Sequence, residues 1–139
     1  MEAGILKDLQ HPNITQLLKV IETKDKEYLV LDYVMGLNLG QEIFQSKSQR
    51  LQKDAWRTFQ DILRAVDYFH EQGIVHGDLK PQNVLIDTQG HAKVCFGFGF
   101  RFLPGQEVTA VGGTPAYYAP ERILYQTYEG PPLGIWALE

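Results

Sequence analysis

The stretch His76-Gly77-Asp78-Leu79-Lys80-Pro81-Gln82-Asn83 decides how this sequence is interpreted, because it brings a carboxylate, an ammonium and a carboxamide within six residues. This combination suits phosphoryl transfer. An aspartate can accept the proton of an attacking hydroxyl, and an asparagine five residues later can hold a magnesium ion. The same residue types beside a proline are also ordinary constituents of a solvated turn.

Composition places limits on the class of protein. The chain has 139 residues, 44% hydrophobic and 22% charged, which fits one soluble globular domain or part of one. A net charge of −4 gives no electrostatic reason to bind nucleic acid or an anionic membrane. Cys95 is the sole cysteine, which excludes an intrachain disulfide and a zinc cluster. With neither a signal peptide nor a long apolar stretch, we expect the cytoplasm or the nucleus.

The first third of the sequence predicts a short helix and a strand hairpin. Residues 2–9 place apolar side chains on one helical face, and His11-Pro12-Asn13 ends that helix. Residues 14–23 and 27–34 are apolar and partly β-branched, with a polar turn between them. They predict two antiparallel strands.

The middle of the sequence predicts one long helix and a second hairpin. Residues 53–72 carry apolar side chains at three- and four-residue steps, and Gly73 supplies a C-terminal cap. Strands are predicted over 83–86 and 92–96, around a turn that contains Gly90. The aromatic residues of the helical stripe are predicted to lie in the core: Trp56, Phe59 and Phe69.

The octet resembles the catalytic loop of protein kinases, His-Arg-Asp-Leu-Lys-Pro-x-Asn, with Gly77 where most members carry arginine. Further motifs make the chain similar to Ser/Thr kinases of the calcium/calmodulin or AMP-activated type: His11-Pro12-Asn13-Ile14, Val34-Met35-Gly36, Gly73-Ile74-Val75-His76 and Ala119-Pro120-Glu121. Within that branch, three segments resemble the sperm motility kinases: Val20-Ile21-Glu22-Thr23, Pro104-Gly105-Gln106 and Tyr128-Glu129-Gly130-Pro131-Pro132.

The resemblance implies an α+β fold that is a partial protein-kinase fold. Residues 1–36 would form a small-lobe remnant, with the C helix, the following hairpin and the hinge. Residues 37–139 would form a large-lobe remnant, with the E helix, the catalytic loop and the activation segment.

The resemblance also assigns roles to individual residues, with ATP and Mg²⁺ as the cofactors. Asp78 would be the catalytic base, Lys80 would support charge and Asn83 would hold magnesium. The Thr114 hydroxyl would bond to Asp78 and Lys80, and Glu121 belongs to the activation segment. Nucleotide-binding roles would fall on Leu31, Asp32 and Val34 through their backbone groups at adenine, and on Asn38 at the ribose. As an alternative, the residues Leu31 to Val34 are simply part of a strand.

Several family positions are altered. Where kinases have the metal-binding Asp-Phe-Gly, this chain reads Cys95-Phe96-Gly97, and no carboxylate lies between Asp87 and Glu107. Either the aspartate was deleted before Phe96 or Phe96 replaces it, and a thiol or a phenyl ring is no substitute for a carboxylate on magnesium. At the end of an apolar strand, we expect Cys95 to behave as a small buried hydrophobe.

Other altered positions concern regulation and loop anchoring. Gly77 and Ala110 remove the arginine and the threonine of phosphorylation-dependent activation. Gly134 replaces an aspartate that anchors the catalytic loop, so we expect a looser loop. The sequence also has no counterpart of the Gly-rich loop or of the phosphate-binding strand lysine. ATP and Mg²⁺ binding is therefore predicted to be weak or absent.

These observations leave competing functions open. The chain is expected to be a Ser/Thr protein kinase family member that is impaired or inactive by itself. The alternatives are a pseudokinase-like binding module or decoy, and a degenerate kinase fragment without its own function. The expected partner is a protein, as substrate or as binding partner, with no role for nucleic acid or a membrane.

Overall fold

The computed structural model describes residues 3–45, 49–95, 99–109, 112–124 and 127–138. Within these residues the helices are Ala3–Lys7 (α1), Leu39–Gln45 (α2), Gln49–Glu71 (α3), Pro120–Leu124 (α4) and Gly130–Trp136 (α5). The strands are Leu17–Glu22 (β1), Glu27–Leu31 (β2), Gly36–Asn38 (β3), Ile74–Val75 (β4), Val84–Asp87 (β5), Ala92–Val94 (β6), Phe100–Arg101 (β7), Glu107–Val108 (β8) and Tyr128–Glu129 (β9). The α+β class is confirmed.

The strands form small antiparallel sheets. The predicted hairpin is present as β1 and β2, with Ile21 opposite Tyr28 and an irregularity between Leu17 and Lys19. A three-stranded sheet has the order β3-β5-β6, and β4 pairs with β7 while β8 pairs with β9. The second predicted hairpin is confirmed as β5 and β6, and Gly90 takes a φ of 83° in its turn.

The long helix α3 buries a different face from the one that the aromatic stripe predicts. Phe69 is fully buried, but Trp56 is 68% exposed and Phe59 is 39% exposed, so their placement in the core was wrong. The two rings stack on each other, with centroids 6.1 Å apart. The reason is polar: the buried Asp61 accepts the Ala92 N–H at 3.0 Å, which turns its own face of the helix toward β6.

The main hydrophobic core joins α1, α3 and the β5–β6 hairpin. Its fully buried side chains include Leu6, Phe69, Val84 and Val94. The segment after α1 is tied to β6 by hydrogen bonds from Asn13 Nδ2 to Ala92 O (2.9 Å), from the Val94 N–H to Asn13 O (2.7 Å) and from the Thr15 N–H to Val94 O (3.1 Å). Deletion of a large side chain from such a core costs about 3–5 kcal/mol.

A second, smaller core lies at the other end of the chain. Ala119, Tyr128 and Leu133 are buried together, and Phe100 and Val108 pack against them. The pairing of β8 with β9 places Val108 opposite Tyr128 in this cluster. Val108, on the segment that precedes Thr114, therefore packs in the same cluster as Leu133 of α5.

Helix α2 and strand β3 were missed in the sequence. Asn38 and Gln41 bond reciprocally at the start of α2, from the Gln41 N–H to Asn38 Oδ1 at 2.9 Å and from the Asn38 N–H to Gln41 Oε1 at 3.1 Å. This is a capping box, which the Asn-x-x-Gln spacing could have indicated. Among the described helices, none has the length and apolar character required to cross a membrane.

Candidate functional site

His76 fixes the backbone of the loop that follows β4. Its Nδ1 accepts the Asp78 N–H at 3.1 Å, and its Nε2 lies 2.5 Å from Cys95 O. A ring nitrogen that accepts a hydrogen bond carries no proton, so Nε2 is the protonated nitrogen and donates to Cys95 O. Burial lowers the pKa of His76, against the opposing effects of the Cys95 bond and the Asp78 charge. His76 is thus a neutral ring with both nitrogens used.

The Asp78 carboxylate lies at the centre of the site and is 9% exposed. Its Oδ1 accepts the Thr114 hydroxyl at 2.7 Å, across 36 residues of sequence. Its Oδ2 lies 3.2 Å from Asn83 Nδ2, which also donates to the Asp78 backbone O at 2.7 Å. Both carboxylate oxygens therefore have donors from within the chain.

Lys80 completes this arrangement. Its Nζ donates to Thr114 Oγ1 at 2.7 Å and lies 3.8 Å from Asp78 Oδ2. The Thr114 hydroxyl accepts from the ammonium and donates to the carboxylate, so it joins a partly buried positive charge to a buried negative charge. We call Asp78, Lys80, Asn83 and Thr114 the base cluster. It brings together four of the residues that the sequence assigned to one site.

The comparison with known families agrees with this geometry. The family profile described as "Protein kinase domain" matches residues 1–139. The chain belongs to the protein kinase family. It is 42% identical over 139 residues to sperm motility kinase 2A of Mus musculus, and 40% identical over 138 residues to sperm motility kinase Z of the same species. Each alignment covers 99% of this chain.

The similarity extends beyond that branch of the kinase family. The chain is 40% identical over 138 residues, 98% of its length, to CBL-interacting serine/threonine-protein kinase 21 of Arabidopsis thaliana. It spans 27%, 28% and 32% of sperm motility kinases 2A and Z and of the Arabidopsis kinase, respectively. The predicted resemblance to Ser/Thr kinases and to the sperm motility branch is therefore confirmed.

The residues assigned to the nucleotide lie at the end of β2, in the segment after it and at the end of β3, and polar groups of Asp32 and Asn38 already have partners. The Asp32 N–H donates to Gln16 O at 2.9 Å, and Asp32 Oδ1 accepts the Gln16 N–H at 2.7 Å. Val34 is buried and Leu31 is half-buried against the main core. Asn38 uses its carbonyl oxygen to cap α2. A nucleotide role for these four residues stays a prediction.

The candidate metal site lacks a set of ligands that suits magnesium. Asn83 carries a carboxamide, and the nearest carboxylate, Asp78, is engaged by Thr114 and Asn83. In the parts of the chain that the structure describes, no three His, Cys, Asp or Glu side chains form a group able to hold a metal. Magnesium requires oxygen ligands in a near-octahedral arrangement, usually with carboxylates. The residues present do not fit the ion, and Phe96 and Gly97 lie outside the described residues.

Cys95 contacts the catalytic loop through its backbone. The Cys95 N–H donates to Asn83 O at 2.8 Å, and Cys95 O accepts from His76. Its side chain is half-buried rather than fully buried, since β6 ends one residue earlier. Burial nevertheless raises the pKa of the thiol, which keeps it protonated and unreactive at neutral pH.

Two glycines replace functional residues of kinases at this site. Gly77 has a φ of 83°, a conformation that strains other residues. Gly134 in α5 is buried, and a Cβ added there would lie 2.9 Å from His70 Nε2. An aspartate at 134 would need His70 to move. The looser loop expected from Gly134 stays a prediction. His76 and Asn83 bond to Asp78 and support the loop independently of residue 134.

Two further residues beside the loop gave no signal in the sequence. The Tyr118 hydroxyl donates to Gly112 O at 2.6 Å, and the Arg122 guanidinium donates to the same oxygen. The predicted Glu121 lies beside Arg122 in α4, and Ala110 lies outside the described residues. Arginine one position after Ala-Pro-Glu has no periodicity or spacing that marks it as a contact.

Proposed function

We propose that this chain is a catalytically silent member of the protein kinase family that acts by binding a protein partner in the cytoplasm or nucleus. One observation supports silence above all. The base cluster is internally complete, yet among the residues that the structure describes no ligand set for magnesium accompanies it. Kinase chemistry is largely positioning and electrostatic stabilisation of transferred phosphate, so a base without its metal should be ineffective.

The electrostatics of the base cluster do not separate a silent chain from an active one. Lys80 is bonded to Thr114 and close to Asp78, and its side chain is 23% exposed. The family resemblance implies the same contacts for an active kinase, so the proposed silence rests on the metal ligands. ATP and Mg²⁺, the cofactors implied by the family, are expected to bind weakly or not at all.

Phosphoryl transfer to a protein hydroxyl remains a second candidate, supported by the Asp78–Thr114–Lys80 contacts. In that function Asp78 would accept the proton of the substrate hydroxyl and Thr114 would orient its carboxylate. Substitution of Asp78 by asparagine would then abolish transfer while changing the fold little.

The open hairpin supports binding rather than a degenerate fragment. Among the described residues β2 pairs with β1 alone, and Tyr28 and Val30 on β2 are 51% and 38% exposed. A strand edge with free backbone groups can accept an extended segment of another protein. A chain with no cooperative unfolding transition would point instead to a fragment without a function of its own.

Thermal denaturation with ATP and MgCl₂, together or separately, tests the silent assignment. We expect no change in melting temperature for the wild type, because a ligand stabilises only in proportion to its affinity for the folded state. Stabilisation that needs both ligands, and that is lost in Asn83→Ala but kept in Gln89→Ala on the exposed turn, would overturn it. A transfer assay with wild type and Asp78→Asn then tests the second candidate.

A further inference from the structure

The Gly112 carbonyl accepts two side-chain donors at once. The Tyr118 hydroxyl bonds to it at 2.6 Å, and Arg122 donates to it from α4. The guanidinium carbon of Arg122 also lies 3.9 Å from the centroid of the Tyr118 ring. A planar guanidinium can stack on an aromatic face and donate to an oxygen simultaneously. We call Tyr118 and Arg122 the clasp.

The segment that the clasp holds lies directly against the catalytic loop. Gly112 and Gly113 have φ values of 95° and 84°, and a Cβ on Gly113 would lie 2.5 Å from Gly77 O. It would also lie 3.2 Å from Arg122 Nη1 and 3.4 Å from Tyr118 Cε1. The backbone of residues 112–113 is thus held between the loop and the clasp. Only glycine permits this approach.

The segment held in this way leads straight into the base cluster. Thr114 follows Gly113, and its hydroxyl bridges Lys80 and Asp78 at 2.7 Å on each side. A small cavity of about 20 Å³, room for roughly one water molecule, is lined by residues of the loop, the segment and the clasp. Movement of Gly112 away from the loop would therefore carry Thr114 out of reach of Asp78.

We propose that Arg122 and Tyr118 are positioning residues that fix residues 112–114 on the catalytic loop, and thereby hold the Thr114 hydroxyl between Asp78 and Lys80, with no phosphate on this segment. A hydrogen bond from a charged donor to a half-buried carbonyl is stronger than a neutral one, and the stacked tyrosine limits the motion of the guanidinium. This inference goes beyond the proposed function, because it holds whether or not the chain transfers phosphate.

Hydrogen exchange of unphosphorylated protein, followed by mass spectrometry, measures how firmly Arg122 and Tyr118 fix residues 112–114 on the loop. We expect the amides of residues 112–118 to exchange about ten-fold faster in Arg122→Gln, because exchange follows local opening. Arg122→Lys, which keeps the charge but loses the planar fork, should recover part of the protection. Arg101→Gln, an exposed arginine on β7, is the matched control and should leave these amides unchanged.

A double-mutant cycle separates positioning from a merely structural role of Arg122. Thr114→Val should speed exchange of the catalytic-loop amides, residues 76–83, in the wild-type background. In the Arg122→Gln background the same substitution should have several-fold less effect, because Thr114 is already displaced. A purely structural role predicts equal effects of Thr114→Val in both backgrounds.

Two results would overturn the proposal: unchanged exchange of residues 112–118 in Arg122→Gln, or equal effects of Thr114→Val in the two backgrounds. If Arg122→Gln does not fold, Tyr118→Phe provides the test, since it removes one hydroxyl and keeps the ring. It should speed exchange at residues 112–118 about three-fold, and no change would equally count against the clasp.

Discussion

The two sides of the catalytic loop differ in what they have kept. On one side, the base cluster has the side chains that the family resemblance assigns to phosphoryl transfer, at hydrogen-bond distances from one another. On the other side lies the stretch after β6, whose first residue, Cys95, meets the loop through backbone groups, from the Cys95 N–H to Asn83 O and from His76 to Cys95 O. Its sequence contains no carboxylate before Glu107.

This difference shows that the backbone of a loop can keep its shape independently of the side chains beside it. Backbone hydrogen bonds do not depend on which side chain a residue carries, so Cys95 supports the loop as any residue there would. Side-chain functions such as metal binding, in contrast, are lost when the side chain is replaced. Geometry on the base side is therefore weak evidence for activity, and the following four experiments test that separation.

The largest effect should come from Gly113→Ala, which tests whether the base side depends on close backbone approach. We expect a loss of about 3 kcal/mol in the free energy of unfolding, from positive-φ strain plus collision with Gly77 O. Gly90→Ala is the matched control, since its φ is 83° with nothing within 4 Å of the added Cβ. It should cost about 1 kcal/mol. Equal losses in urea denaturation would contradict the close approach.

Thr114→Val should have the next largest effect, because it removes the bridge between Lys80 and Asp78 while keeping the shape of the side chain. Hydrogen bonds to charged groups are worth about 1.5–3 kcal/mol, so we expect a loss of about 2 kcal/mol. Thr109→Val, at an exposed position of the segment that precedes Thr114, should change stability by less than about 0.5 kcal/mol. If Thr114→Val left the free energy of unfolding unchanged, the base cluster would not be maintained by its own contacts.

The third prediction concerns pH and the support that His76 gives to both sides of the loop. Burial lowers its pKa in the folded state, so below about pH 6.5 the unfolded chain binds more protons than the folded one. Stability should then fall with decreasing pH, by up to about 1.4 kcal/mol per pH unit from this residue. The contribution of neutral His76 to stability is fully present above about pH 6.5.

The slope of unfolding free energy against pH is the measurement. His76→Gln should flatten it, and His70→Gln should flatten it less, since burial also lowers the pKa of His70 but the ring is only half-buried. An unchanged slope in His76→Gln would show that this ring is not the buried neutral support described above.

The smallest effect should follow from Phe96→Asp, which adds a carboxylate to the stretch of sequence after β6. In one of the two alignments this restores the missing magnesium ligand, so ATP with Mg²⁺ should stabilise the variant by about 1 kcal/mol. Phe96→Asn is the neutral control and should gain nothing. Equal responses of the two variants to ATP and Mg²⁺ would show that a lost carboxylate alone does not separate the two sides.

Much of the fold follows from the sequence because its signals are local. The hairpins, the long helix and its cap at Gly73, with a φ of 70°, depend on periodicity and turn residues. The exposure of Trp56 and the burial of Asp61 could not be predicted in this way. They depend on a hydrogen bond between Asp61 and Ala92, which are 31 residues apart.

The same limit applies to the site. Asp78, Lys80 and Asn83 are recognisable from a single motif, and family resemblance adds Thr114 to them. The clasp is different. Arg122 and Tyr118 donate to the Gly112 carbonyl only because the fold brings α4 close to residues 112–113. Neither residue belongs to a pattern whose spacing predicts that contact.

The hydrogen bonds of Asn13 and Thr15 to β6 have a mechanical consequence. They cross from the first 36 residues to the rest of the chain, two parts that the segment between β2 and β3 also connects. Rotation of one part against the other about that segment would have to break them together. We therefore expect the first helix and hairpin to move with the loop as one stiff body, without the opening and closing that a two-part clamp around a nucleotide would need.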